Sequence, residues 1–135
     1  MSKLTIQKPN ASVEFKIQDS EFTVAYPTTG QIIDIAVLKA KLSENQYSFL
    51  AFQSSGEAHF ALKLIDAFSF FSIMTPELKK KMAISLYDLQ AEESLELINV
   101  YEKTVLPWQN QWAEYLENRM NEIQGNSSNG KRDLV

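Results

Sequence analysis

The sequence predicts an α+β fold, in which an N-terminal β-hairpin is followed by a mainly α-helical domain with a long aromatic-striped C-terminal helix. Three observations carry this prediction. Apolar and polar residues alternate near the N-terminus, apolar residues then recur every three or four positions, and the last periodic stretch carries Trp and Tyr on its apolar face. We expect an N-terminal arm over 1–11, a single domain over 12–123 with its hairpin at 12–26 and its helical body at 30–123, and a flexible tail over 124–135.

The composition of the chain excludes several classes of function. The chain has 135 residues, of which 44% are hydrophobic and 22% charged, and this suits one domain with a buried core. There is no cysteine, which excludes disulfides, thiolate zinc sites and cysteine nucleophiles. A net charge of −4 lacks the basic excess that a nucleic-acid partner needs. The N-terminus has no apolar leader and the longest apolar stretch is interrupted by Asp66 and Ser69, so we expect a soluble intracellular protein without a membrane partner.

The hairpin is predicted from two alternating runs, "VEFKI" and "FTVAY", joined by the polar turn "QDSE". Because an isolated two-stranded hairpin is marginal in water, a helix must cover its apolar face, and we expect the helix that follows in the chain to supply this cover. That face carries Phe15, Ile17, Phe22, Val24 and Tyr26.

The next segment, "PTTGQ", is interpreted as a capped corner. A phosphate-binding loop would need several glycines and a Lys followed by Ser or Thr, and this segment has one Gly and no Lys. Thr28 or Thr29 can instead cap a helix that begins near Gly30 and ends near Leu42. This helix is apolar on two sides, so we expect it to be sandwiched, with other parts of the protein packed against both sides. One side carries Ile32, Ile33, Ala36, Val37 and Ala40, and the other carries Ile35, Leu38 and Leu42.

Two further helices are predicted in the middle of the chain. The stretch from Gly56 to Met74 is apolar nearly all round, Phe60 included, and is the best candidate for a central buried helix. Thr75 and Pro76 then restart a short helix that is predicted to run through Met82, because Pro fits the first helical position.

The last periodic stretch predicts the longest helix. The acidic residues of "QAEESLEL" suit the positive end of a helix dipole. Pro107 lies inside the apolar stripe, so a kink or break is expected around Val105 to Leu106. The stripe consists of Ile98, Tyr101, Val105, Trp108, Trp112, Leu116 and Ile123.

No residues form a convincing catalytic, cofactor or metal site. His59 is the only histidine, and Glu57 and Asp66 supply neither a third ligand nor a nucleophile. Asp66 stands in an apolar helix, so it must be paired, and Lys63 and Lys39 are the candidate partners. The sequence therefore predicts a protein that is not an enzyme.

The aromatic residues of the last helix are the candidate partner-binding residues. Trp108 and Trp112, joined by Tyr101 and Tyr115, are too many large rings for the edge of a small domain. They must cover either the core or a partner, and the sequence leaves both alternatives open.

Two quoted segments carry a family resemblance. "YPTTGQIIDIAVLK", residues 26–39, follows a hairpin and resembles small proteins from the morphogenesis modules of tailed bacteriophages, in particular the tail-assembly chaperones. "LIDAFSFFSIMTPEL", residues 64–78, is similar to the central helix of that family and its successor, and "LPWQNQW" resembles its C-terminal helix loosely. The two segments and the hairpin span roughly residues 13–78.

The resemblance implies a non-enzymatic protein that keeps the tape-measure protein soluble and helps tail-tube subunits assemble around it. Such a chaperone acts in the host cytoplasm during assembly, is absent from the finished virion, and is often made in a second, frameshift-extended form. One alternative is a structural virion component, such as a ring or connector protein near the head–tail junction, which would contact neighbouring virion subunits or form a homo-oligomer. The other is an enzyme or small-molecule binder around His59 and Asp66, which the residues favour least.

Overall fold

The computed structural model describes residues 7–81 and 85–134, with side chains described through residue 125 apart from 79 and 81. A two-stranded hairpin precedes a helical body, which confirms the predicted α+β fold class. The elements are β1 Ser12–Ile17, β2 Ser20–Ala25, α1 Thr29–Leu42, α2 Tyr47–Ala51, α3 Gly56–Met74, α4 Pro76–Lys81, a 3₁₀ turn Leu86–Asp88, α5 Ala91–Val100, a π-helical turn Tyr101–Val105 and α6 Leu106–Leu134.

The hairpin closes through a two-residue turn whose backbone is held by α5. Strands β1 and β2 pair antiparallel, with Phe15 opposite Phe22. Gln18 and Asp19 have φ angles of 50° and 65°, as a type I′ turn requires. The backbone N–H of Gln18 donates to Oε2 of Glu96 at 2.9 Å, and its side-chain amide donates to Glu93 at 3.3 Å. These bonds offset the cost of two non-glycine residues in the left-handed region.

The apolar face of the hairpin is covered by helices, as predicted, but the main cover does not come from α1, the helix that was expected to supply it. Phe15, Ile17 and Val24 are buried, whereas Phe22 and Tyr26 are half-buried. The cover comes from α5, the π-helical turn and the C-terminal half of α3, where the ring of Phe71 lies 5.2 Å from that of Phe15.

Helix α3 is the centre of the core and has the predicted bounds. Ser55 caps it, since its hydroxyl accepts the N–H of Ala58 at 3.1 Å. The prediction that Phe60 belongs to the core is wrong, because its side chain is 41% exposed. The core cluster that α3 shares with the hairpin and α5 contains Ala67, Phe68, Phe70 and Phe71, which all lie in the C-terminal half of α3. The buried residues of α3 are Ala58, Leu64, Ile65, Ala67, Phe68, Ser69, Phe70 and Phe71.

The corner before α1 is a helix cap, as predicted. The Thr28 hydroxyl accepts the N–H of Gln31 at 3.2 Å, and the Gln31 side chain accepts the N–H of Thr28 at 2.9 Å. This reciprocal capping box satisfies two of the free N–H groups at the start of the helix.

The prediction that α1 is sandwiched is wrong for the described residues. Helix α1 packs on α3 through the side that carries Ile35, Leu38 and Leu42, and none of its residues is buried. Its other side is open, with Ile33 and Val37 each 56% exposed. The hairpin, expected as the second layer, packs on α5 and the π-helical turn instead.

The last helix is irregular where the sequence predicted a kink or break, but its backbone stays helical from α5 through α6. After α5 the backbone widens into the π-helical turn, in which the N–H of Leu106 bonds to the carbonyl of Tyr101. Pro107 has no N–H to continue an α-helical ladder, and a single π turn is a usual way to pass such a residue. Helix α6 then restarts at Leu106.

Helix α6 is longer than the sequence predicted. Its backbone is helical through Leu134, whereas we expected the helical body to end at residue 123. The segment after 124 is rich in Gly, Ser and Asn, which are poor helix formers, but extending an existing helix costs far less than starting one. The flexibility predicted for 124–135 stays a prediction.

Helix α4 is described from Pro76 to Lys81. Met82, the last residue of the predicted short helix, lies outside the described residues. Within the described ranges, no helix is both long and apolar enough to cross a lipid bilayer.

Candidate partner-binding surface

Asp66 is held by residues from two other helices. Its Oδ1 accepts the hydroxyl of Tyr47 in α2 at 2.7 Å and lies 3.1 Å from Nζ of Lys39 in α1. The predicted pairing with Lys39 is therefore confirmed, while Lys63 lies 3.7 Å from Glu102 instead. The three residues tie α1, α2 and α3 together, and a carboxylate satisfied in this way needs no chemical role.

Burial and the neighbouring carboxylate perturb two tyrosines. Partial burial, followed by the hydrogen bond to Asp66, raises the pKa of Tyr47 to about 12. Burial is also the main cause that raises the pKa of Tyr101, and the charges of Asp66 and Tyr47 add to it. Both phenols therefore stay neutral at physiological pH and act as structural donors rather than as bases.

We expect this arrangement to make the protein sensitive to alkali. In the unfolded chain a tyrosine ionises near pH 10, whereas in the folded chain Tyr47 ionises at about 12. The stabilising contribution of Tyr47 is thus fully present below pH 10 and is lost as the pH rises from 10 through 12. In urea unfolding across this window, Tyr47→Phe should lose less stability with pH than the parent. Tyr87→Phe, whose ring is 72% exposed, is the matched control, and identical pH profiles for the parent and Tyr47→Phe would contradict the assignment.

The other candidates for chemistry are not assembled into a site. His59 is exposed on the first turns of α3. Among the described residues, no group of three or more His, Cys, Asp or Glu side chains could hold a metal ion.

The four aromatic residues predicted to bind a partner lie at the junction of the π-helical turn and α6. Tyr101, Trp108 and Trp112 are buried, and Tyr115 is half-buried. The Tyr101 hydroxyl donates to Gln109 at 2.8 Å, and the edge of Tyr115 meets the Trp112 ring at 5.7 Å.

Both tryptophans are bonded to the N-terminal arm. The indole N–H groups of Trp108 and Trp112 each donate to the backbone carbonyl of Asn10 at 2.9 Å, and a carbonyl has two lone pairs for this purpose. Tyr26 stacks on Trp112 at 4.9 Å and meets Trp108 at 5.7 Å. Lys8 lies 5.9 Å above the Trp112 ring. The rings thus attach the start of α6 to the end of the hairpin and to the arm.

Of the two alternatives left open by the sequence, the core is where the structure puts Tyr101, Trp108 and Trp112. A direct partner contact by any of the four aromatic residues stays a prediction, and Tyr115 has the most exposed ring among them.

The apolar stripe continues along α6 after the core ends. Leu116, Met120 and Ile123 follow Trp112 at steps of four, four and three residues, so they lie on the same side of the helix. They are 44%, 53% and 57% exposed. We call these three residues the C-terminal stripe. From the sequence, Leu116 and Ile123 were assigned to the apolar stripe of the last helix, but only its large aromatic residues were predicted to bind a partner.

The charges around the C-terminal stripe are mostly negative. At about 100° per residue, Glu117 lies about 60° beyond Met120 on one side of the stripe. On the other side Arg119 lies about 40° beyond Ile123, and Glu122 lies farther round the helix. Arg119 lies 3.6 Å from Glu122 and is the only basic residue between 113 and 125. The stripe is therefore an apolar strip with Glu117 on one side and the Arg119–Glu122 ion pair on the other.

A shallow apolar groove of about 410 Å³ lies on another part of the surface. It runs between α2, the first turns of α3 and the 3₁₀ turn. Its apolar lining consists of Leu42, Phe49, Leu50, Phe60, Ala61, Leu64, Ile65, Leu86 and Tyr87.

Comparison of the chain with protein-family models, with curated proteins and with solved structures finds no match. The function is therefore inferred from the geometry described above and from the resemblance of residues 26–39 and 64–78 to tail-assembly chaperones.

Proposed function

We propose that this protein is a non-enzymatic assembly factor that binds an amphipathic helix of a partner protein along the C-terminal stripe of α6. The observation that carries the proposal is the exposure of Leu116, Met120 and Ile123 on a helix that continues beyond the core. A row of apolar residues at helical spacing is the feature by which one helix binds another.

The charges favour a particular class of partner helix. Three glutamates and one arginine lie between residues 113 and 125 of α6, so the matching helix carries lysine or arginine beside its own apolar face. The apolar stem of such a lysine or arginine on the partner can also cover apolar surface while its charged end reaches Glu117.

The resemblance of residues 26–39 and 64–78 to tail-assembly chaperones supplies the biological setting. In that setting the partner is the tape-measure protein or a tail-tube protein of a tailed phage, and the complex forms in the host cytoplasm during assembly. A long protein with many apolar helices needs such a cover before tube subunits surround it, because exposed apolar helices aggregate.

The C-terminal stripe can be tested without disturbing the fold. Replacing Leu116, Met120 and Ile123 together by Ser should weaken binding to the co-expressed tape-measure-like protein by about 2 kcal/mol or more, roughly thirtyfold. The free energy of unfolding should change by no more than about 0.5 kcal/mol per site, because the three side chains are already exposed. Soluble complex is measured by pull-down and affinity by titration calorimetry.

The matched control is Asn118→Ser with Asn121→Ser, which alters the opposite side of α6 and should leave binding unchanged. Glu117→Gln should weaken binding and reduce its dependence on salt. Full-strength binding by the triple Ser variant would contradict the assignment of the stripe. Finding the protein at fixed stoichiometry in purified virions would instead favour a ring or connector component.

A further inference from the structure

The open side of α1 is the largest difference between the sequence prediction and the structure. Ile32, Ile33, Ala36 and Val37 are all exposed, and they form one continuous strip along the helix. We call these four residues the α1 outer face. The capping box and the packing on α3 fix α1 in place, so this face is held in one orientation.

Two charged residues border this face on one edge. Asp34 and Lys41 are seven residues apart, which places them on the same side of α1, next to Val37. Both are exposed, and among the described residues neither forms an ion pair. Seven residues of helix separate the two by about 10 Å, which is too far for them to pair within one chain.

The charge pattern is complementary to itself. In an antiparallel pair of α1 helices related by a two-fold axis beside Val37, Asp34 of each copy lies opposite Lys41 of the other. Such an arrangement forms two equivalent ion pairs along the edge of an apolar seam. A parallel pair has no such match, because identical edge residues stay at the same height.

The shape of the face also suits a second helix. Ala36 is flanked by Ile33 and Val37, and a small residue between larger ones lets helix axes approach to about 8 Å. Helix α1 ends at Leu42, so an axis between residues 37 and 38 pairs residues 33–42 of the two copies over about 15 Å. A single short helix pair of this kind buries less surface than a typical permanent interface, so the association is weak and depends on concentration.

We propose that the α1 outer face binds a second copy of this chain, forming an antiparallel two-fold dimer with reciprocal Asp34 to Lys41 ion pairs. The proposal goes beyond the partner-binding role of α6, because it uses a different helix and a different occupant.

The first test is sedimentation of the full chain over a wide range of concentrations. The parent protein should show a reversible monomer–dimer equilibrium, and Ile33→Asp should weaken it tenfold or more because a charge enters the seam. Circular dichroism should show both proteins equally folded, since Ile33 is 56% exposed. Variants of the C-terminal stripe should dimerise like the parent. A parent protein that stays monomeric at its highest soluble concentration overturns the proposal.

Charge exchange tests the arrangement itself. Asp34→Lys gives a chain with two lysines on this edge, and Lys41→Asp gives a chain with two aspartates. Each variant alone should dimerise more weakly than the parent at low salt. Mixing the two should restore association as a heterodimer, since both ion pairs are then re-formed. The double exchange in one chain should also dimerise like the parent.

These outcomes separate the proposal from other modes of self-association. A dimer that is unaffected by the single exchanges, or a mixture that shows no heterodimer, overturns the antiparallel pairing of α1. Loss of partner binding by the C-terminal stripe variants would leave the α1 dimer untouched, so the two proposals fail independently.

Discussion

Replacing Phe71 by Ala is expected to lower the free energy of unfolding by about 3–5 kcal/mol, the largest single effect we anticipate in the core. The Phe71 side chain is 3% exposed, and its ring contacts those of Phe15, Phe70 and Tyr101 at centroid distances of 5.2, 5.5 and 6.2 Å. The ring thus joins β1, α3 and the π-helical turn, and its removal leaves a cavity that none of these elements can close alone.

Urea unfolding followed by circular dichroism measures this cost. Phe68→Ala should fall in the same range, because Phe68 is also buried on α3. Phe52→Ala is the matched control, since that ring is 88% exposed and its loss should change stability by no more than about 0.5 kcal/mol. Equal stability of Phe71→Ala and the parent would show that α3 is not the central helix.

Much of this fold could be predicted because local signals and packing agree. The hairpin followed from period-two alternation, the bounds of α3 followed from the apolar run of residues 56–74, and the irregular turn before α6 followed from Pro107. Each of these signals acts through the local backbone or through one face of its own strand or helix. None depends on which distant element packs against that strand or helix.

The open side of α1 could not be predicted, because its cause is not local. The sequence shows that α1 is apolar on two sides, and burying both is the lowest-cost solution for a helix in a large core. Within the described chain α1 packs mainly on α3, because hydrogen bonds from Gln18 to Glu93 and Glu96 hold the hairpin against α5. From the sequence, the acidic residues of α5 were explained by the helix dipole alone. Their hydrogen bonds to the hairpin turn could not be seen at that level.

The sequence could not show that three of the four residues predicted to bind a partner, Tyr101, Trp108 and Trp112, are buried. Composition alone gives large rings priority at interfaces, because Trp and Tyr are enriched there. The sequence also could not show that both tryptophans already donate to the carbonyl of Asn10 and contact the ring of Tyr26. The signal for the proposed C-terminal stripe was the spacing of Leu116, Met120 and Ile123 beyond the last tryptophan, in a segment too long for the core to cover.

The second large effect is expected for Trp108→Ala, which should lower the free energy of unfolding by about 3–5 kcal/mol. The Trp108 ring is 5% exposed, contacts Tyr26 and donates to the carbonyl of Asn10, so its loss opens a cavity and removes one of the two indole hydrogen bonds that attach the arm to α6. Trp108→Phe should cost less, because it retains most of the packing and loses the hydrogen bond, whose net contribution is about 1 kcal/mol.

The decisive measurement is to compare stability and partner binding for the same variants. Trp108→Ala should lose stability first and should bind the partner less only in proportion to its unfolded fraction. The triple Ser variant of the C-terminal stripe should do the opposite, with binding lost and stability kept. If Trp108→Ala melted like the parent but failed to bind, then Trp108 would contact the partner directly. The interface would then include the aromatic residues as well as the C-terminal stripe.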